Sequence, residues 1–116
     1  MDPAAQALVS SQLMGQARYI VGIDLGTTNC ALAYVDLADG ADKPPVRLFE
    51  IPQLVDESRI AKRPGLPSFL YLPGAHDLPS GSTGLTWDPK RDYAVGAFAR
   101  DHGALIPARL VSSAKS

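Results

Sequence analysis

A single cysteine, Cys30, stands in 116 residues, so no internal disulfide can form. That absence points to a reducing compartment, and the cytoplasm is the expected location. No apolar run comes near the roughly 18 residues that span a bilayer. Met1 to Ala17 contains Asp2 and lacks both a basic cluster and a continuous apolar stretch, which makes it a poor secretory signal. A net charge of −1 gives no broad attraction to nucleic acid or to acidic membranes, so neither is an expected partner. The histidines, His76 and His102, have no metal-ligand spacing to each other or to Cys30, and both read as structural or exposed. Cys30 has no readable base beside it and is expected to be a small buried apolar residue. There is no internal repeat. What remains is a composition of 46% hydrophobic and 20% charged residues, which fits one small globular domain.

The most informative stretch is Tyr-Ile-Val-Gly-Ile-Asp-Leu-Gly-Thr-Thr-Asn, residues 19–29. A β-rich run delivers Asp24, a glycine and two threonines follow, and a second β-rich run leaves at Cys30. Alternation along the strand puts Tyr19, Val21 and Ile23 on one face and Ile20, Gly22 and Asp24 on the other. Gly26 permits a positive φ and lets a phosphate approach the backbone. N–H groups around Gly26, Thr27 and Thr28 can form an anion-binding concavity, to which the threonine hydroxyls add donors. Asp24 suits a hydrated magnesium ion, which prefers oxygen ligands and retains water. The plainer reading is a polar hairpin turn, because Asp, Gly, Thr and Asn are ordinary turn residues.

Val-Gly-Ile-Asp-Leu-Gly-Thr-Thr-Asn, residues 21–29, resembles the first phosphate loop of the actin-like ATPase superfamily. The Thr-Thr-Asn form most resembles the 70-kDa heat-shock chaperones of DnaK type. Three later segments, in the same order as in that family, strengthen the likeness. Arg63 to Tyr71 resembles the segment in which an arginine precedes Pro-Ser and a strand. Tyr93 to Arg100 is similar to a strand followed by an Ala-rich helix opened by Val-Gly. Leu110 to Lys115 resembles the helix that carries the family's catalytic lysine. Ser116 stands where the family usually has another basic residue, and Pro73 to Pro89 is unusually long and rich in Pro and Gly. The likeness is therefore to a divergent, bacterial-looking member.

The resemblance implies an α/β fold, the RNase-H-like actin-type ATPase fold, present as its N-terminal portion: an antiparallel meander plus a small second lobe. It implies ATP or ADP with Mg²⁺ as ligands, held by Asp24, Gly26, Thr27, Thr28 and Asn29, with Asp24 on the metal. Lys115 and Thr27 would be the catalytic residues. The ammonium of Lys115 would neutralise charge in phosphoryl transfer, where positioning and electrostatics dominate. Otherwise it is a solvated lysine. The whole protein would be an ATP-dependent chaperone acting on unfolded or apolar polypeptide clients, with co-chaperones as further partners. A sugar or carboxylate kinase of the same superfamily is the alternative, and so is a filament protein of actin or MreB type. Arg63 to Tyr71 looks wrong for the kinase, and the Ala114-Lys115 match favours the chaperone over both.

The expected organisation is a flexible extension over 1–18, the first strands of the ATPase core over 19–51, and a partial second lobe over 52–116. Strands are expected at Tyr19–Asp24, Asn29–Leu37, Val46–Ile51, Leu66–Leu72 and Tyr93–Val95. Loops are expected over Gln53–Arg63, where Lys62 and Arg63 read as surface residues, and over Pro73–Pro89, which Trp87 would pack onto the body. Helices are expected over Gly96–Ala104 and from Ala108 onward, with Pro107 as the break. Apolar positions at Leu105, Ile106, Leu110, Val111 and Ala114 run toward Ser116 with no capping glycine, so the sequence reads as an N-terminal fragment. Such a fragment would bind ATP weakly and turn it over poorly.

Overall fold

The computed structural model describes residues 17–112. Two long strands, β1 (Tyr19–Leu25) and β2 (Asn29–Asp36), form an antiparallel hairpin with an unbroken register from Tyr19↔Asp36 to Leu25↔Cys30. The other edge of β2 carries two short strands. β3 (Arg47–Leu48) pairs with Ala33 and Tyr34, and β6 (Leu66–Pro67) pairs with Asn29 and Cys30. Between them in sequence, β4 (Ile51–Asp56) and β5 (Arg59–Arg63) form a second hairpin. A three-stranded sheet follows, with β7 (Phe69–Tyr71) between β8 (Ala94–Val95) and β9 (Leu110–Ser112). The only α-helix among the described residues, α1 (Ala97–Gly103), packs on β7 and β4.

The expected α/β actin-type architecture is overturned. Among the described residues every strand pair is antiparallel, and the one α-helix has 7 residues, too short to return the chain between parallel strands. The chain is a small β-rich domain of separate antiparallel sheets. Several local expectations fail for the same reason: strand pairing recruits segments that composition marks as something else. Gln53–Arg63 has a charged tip, yet Leu54 lies opposite Ile60 and its side chain is buried, so the segment belongs to a hairpin. The tip turns at Ser58, whose φ is 55°, and the Asp56 carboxylate accepts the Glu57 N–H. The strand expected over Val46–Ile51 is divided between β3 and β4, and that over Leu66–Leu72 between β6 and β7. Over the described residues from Ala108 to Ser112 there is no α-helix. A 3-10 turn over Pro107–Arg109 leads into β9, where Leu110, Val111 and Ser112 pair with Tyr71, Leu70 and Phe69. The extension expected over 1–18 lies mostly outside the described residues, as do Ser113 to Ser116.

The core sits beneath α1, where Leu54, Tyr71, Leu85, Ala94, Phe98 and Ala99 are buried together. His102 stacks on Phe98 at 5.0 Å and meets Tyr71 edge-on at 5.3 Å, so this histidine is a packing residue. Gln53 is the polar centre of the core and is 2% exposed. Its Oε1 accepts the Ala97 N–H at the start of α1, and its Nε2 donates to the Gly65 carbonyl at 2.9 Å. Gly96, just before α1, has φ 100°, and a Cβ there would lie 2.6 Å from Leu66 Cδ1 and 2.7 Å from Gln53 Oε1. Trp87 does not pack its loop down, being 58% exposed.

The β1–β2 hairpin projects from this body. Tyr19, Ile20, Val21 and Ile23 are exposed although apolar, and the Cα radius of gyration is 19.0 Å. A compact domain of about 100 residues has a radius near 13 Å. No helix among the described residues is long and apolar enough to cross a membrane.

Candidate phosphate-binding turn

Asp24 is the sixth residue of β1, Asn29 opens β2, and Gly26, Thr27 and Thr28 link the strands. The structure thus gathers Asp24, Gly26, Thr27, Thr28 and Asn29 at one end of the hairpin, as the sequence predicts. Asp24, Thr27, Thr28 and Asn29 are exposed and Gly26 is half-buried. The even-numbered face carries Asp24 beside Gly22, whose missing side chain leaves open space.

Gly26 is needed for a reason other than the expected one. Positive φ among the described glycines occurs at Gly40, Gly81 and Gly96, not at Gly26. A Cβ at Gly26 would instead collide with the carbonyl oxygen of Asn29. The constraint is close approach of the two strand ends, which no other residue allows.

Sequence reasoning did not find the residue that braces the turn. Ser68 Oγ donates to the Gly26 carbonyl at 2.7 Å, and the Ser68 N–H donates to the Thr28 carbonyl at 2.9 Å. Cys30 Sγ lies 3.5 Å from the same hydroxyl and is only half-buried, so it is not the buried apolar residue expected but sits against a polar group beside the turn. Ser68 thus engages two of the turn's carbonyls on one side. In a trans peptide the N–H points opposite to the preceding C=O, so the Thr27 N–H is directed away from Ser68. The Arg63–Tyr71 segment that looked like a separate motif is therefore the support of the first one. Residues 42 apart make this contact, and nothing local to either announces it.

Lys62 and Arg63 are exposed on β5, with Arg63 Nη1 on the Lys62 carbonyl, as expected of surface residues. Lys115 lies outside the described residues. β9 runs antiparallel to β7 with Ser112 opposite Phe69, so the chain reaches Ser112 at the end of β7 adjoining Ser68. Among the described residues no group of three or more His, Cys, Asp or Glu side chains is placed to hold a metal. Asp24 alone can offer one carboxylate, which fits a magnesium ion that keeps most of its water and takes its other ligands from phosphate.

Comparison with protein-family models, with curated proteins and with solved structures gives no match for this chain. The class that fold and site define is a small antiparallel β domain presenting a polar, serine-braced hairpin turn.

Proposed function

We propose that the Asp24–Asn29 turn holds the phosphates of magnesium ATP, as the nucleotide-binding segment of an ATP-dependent chaperone of the 70-kDa heat-shock type. The carrying observation is the turn itself, which assembles one carboxylate, two threonines and a close-approach glycine at an exposed hairpin end fixed by Ser68. Backbone N–H groups and the Thr27 and Thr28 hydroxyls would donate to phosphate oxygens. Asp24 would orient a hydrated magnesium ion, which neutralises phosphate charge when bound. A role for Lys115 on the terminal phosphate rests on the resemblance of Leu110–Lys115 to the family's lysine helix. Unfolded or apolar polypeptide is the client class that the resemblance supports.

A few exposed hydrogen bonds are each worth only about 0.5–1.5 kcal/mol. They must offset roughly 4 kcal/mol or more of association entropy. Affinity for this chain alone is therefore expected in the millimolar range, about −4 kcal/mol. Phosphorus and amide NMR during titration with magnesium ATP tests the site. Perturbation should centre on the β- and γ-phosphates and on the amides of residues 26–29, and Asp24→Asn should weaken it several-fold. Shifts spread over the body, or none at about 10 mM ligand, would refute the reading. In a longer protein containing this segment, Lys115→Ala should depress single-turnover ATP hydrolysis much more than ATP binding.

A further inference from the structure

We propose that Asp39-Gly40, in the turn that leaves β2, is a site of covalent self-modification, where the Asp39 linkage isomerises to isoaspartate under the restraint of Arg47. The turn is held from its N-terminal side. The Ala38 N–H donates to Asp36 Oδ1 at 3.0 Å, and the Asp39 N–H donates to the Asp36 carbonyl at 3.2 Å. Gly40 then takes φ 85°, in the left-handed region that favours glycine, and a Cβ there would meet nothing within 4 Å. Asp39 and Gly40 are both exposed. Among the described residues the Gly40 N–H donates to no group.

A free amide nitrogen thus follows a carboxyl group with no side chain to shield it. Attack by the Gly40 nitrogen on Asp39 Cγ closes a succinimide ring. A C–N bond forms and a Cγ–O bond breaks, and the oxygen leaves as water with the amide proton and the proton of the carboxyl group. Water then adds to a ring carbonyl and breaks its bond to nitrogen. Opening at the Asp39 main-chain carbonyl leaves isoaspartate, in which the chain runs through Cβ and Cγ. The water lost in the first step is regained in the second, and no other reactant is needed.

Its neighbour singles Asp39 out. Every other aspartate precedes a residue with a Cβ, which crowds the attacking nitrogen, and in Asp2-Pro3 and Asp88-Pro89 that nitrogen carries no hydrogen. Asn29, the one asparagine, is fixed in the β2 register opposite Pro67. Arg47 supplies the restraint. Its Nη2 holds Asp39 Oδ2 at 3.1 Å, and ring closure consumes that carboxylate, so the contact must first be given up. The Arg47 and Asp39 side chains are 51% and 27% exposed, so the pair slows the reaction without stopping it. Isomerisation places the free carboxylate on Cα and adds a methylene to the main chain between β2 and β3. The present Arg47 contact is lost with it, and the turn that requires glycine at position 40 keeps the site in place.

Ageing the full chain near neutral pH at physiological temperature tests this. Tandem mass spectrometry locates isoaspartate, and methyl transfer from S-adenosylmethionine by an isoaspartyl methyltransferase counts it. Isoaspartate should accumulate at Asp39 and at no other aspartate to a comparable extent. Arg47→Ala should speed it roughly two- to fivefold, the factor that an exposed ion pair supplies. Arg47→Lys, which keeps a cation at that position, should stay closer to the wild type. Gly40→Ala should slow it strongly, because the new Cβ crowds the nitrogen, and Asp39→Glu should remove the signal at that position. No isoaspartate at Asp39 in the wild type, or faster formation at another aspartate, would overturn the proposal. So would an Arg47→Ala chain with native circular dichroism that ages at the wild-type rate, since Arg47 would then restrain nothing.

Discussion

Replacing Gln53 with Met tests the account of the core most directly. Methionine nearly matches glutamine in length and volume, so packing is conserved and only the polar contacts are lost. Gln53 is 2% exposed, and its amide satisfies the Ala97 N–H at 3.0 Å and the Gly65 carbonyl at 2.9 Å. Ala97 is buried, and its N–H at the start of a helix has no intrahelical acceptor. Leaving a buried donor unpaired costs about 1–3 kcal/mol. Gly65 is half-buried, so water can recover part of its loss. Loss of its bond adds about 0.5–1.5 kcal/mol, and burial of the thioether returns a fraction of that. The expected destabilisation is about 2–4 kcal/mol, a large share of the stability of a small domain. Urea denaturation followed by circular dichroism reads it as a lower midpoint at unchanged slope. A change below about 0.5 kcal/mol would mean that the Gln53 bonds do not organise the junction of β4, Gly65 and α1.

Gly96→Ala should cost more than about 2 kcal/mol, because φ 100° is unfavourable for alanine and the new Cβ would press on Leu66 and Gln53. Thermal denaturation checks this, and an unchanged midpoint refutes it. Ser68→Ala removes the bond to the Gly26 carbonyl and should cost about 1 kcal/mol. It should also weaken the magnesium ATP titration at residues 26–29, while Ser68→Thr retains much of both. Burial first, and then the neighbouring Asp77 carboxylate, raise the Tyr71 pKa above its ordinary value of 10.0. The stability tied to neutral Tyr71 is therefore complete below that value and is lost as pH rises through the native one. The wild type should lose stability more steeply above about pH 10 than Tyr71→Phe does, and parallel profiles would refute this.

Short-range chemistry determined the hairpin. β-rich flanks around Gly-Thr-Thr define β1, β2 and their turn, because alternation and turn preference act within a few residues. The same local logic located Ala94–Val95 and the helix after Gly96, to within a residue or two at each end. Tertiary pairing decided the rest. The charged stretch after Gln53 is a hairpin because Leu54 and Ile60 meet in the core, and the segment after Pro107 is a strand because β7 offers it an edge. No local propensity contains either fact. The turn's residues were legible in the sequence, but its support was not. Ser68 reaches Gly26 only after β6 has paired with the start of β2, so the brace exists only in the folded chain. Gly26 shows the division at one residue: the sequence required a glycine there, and only the approach of Asn29 showed that the requirement is room for the backbone and not a positive φ.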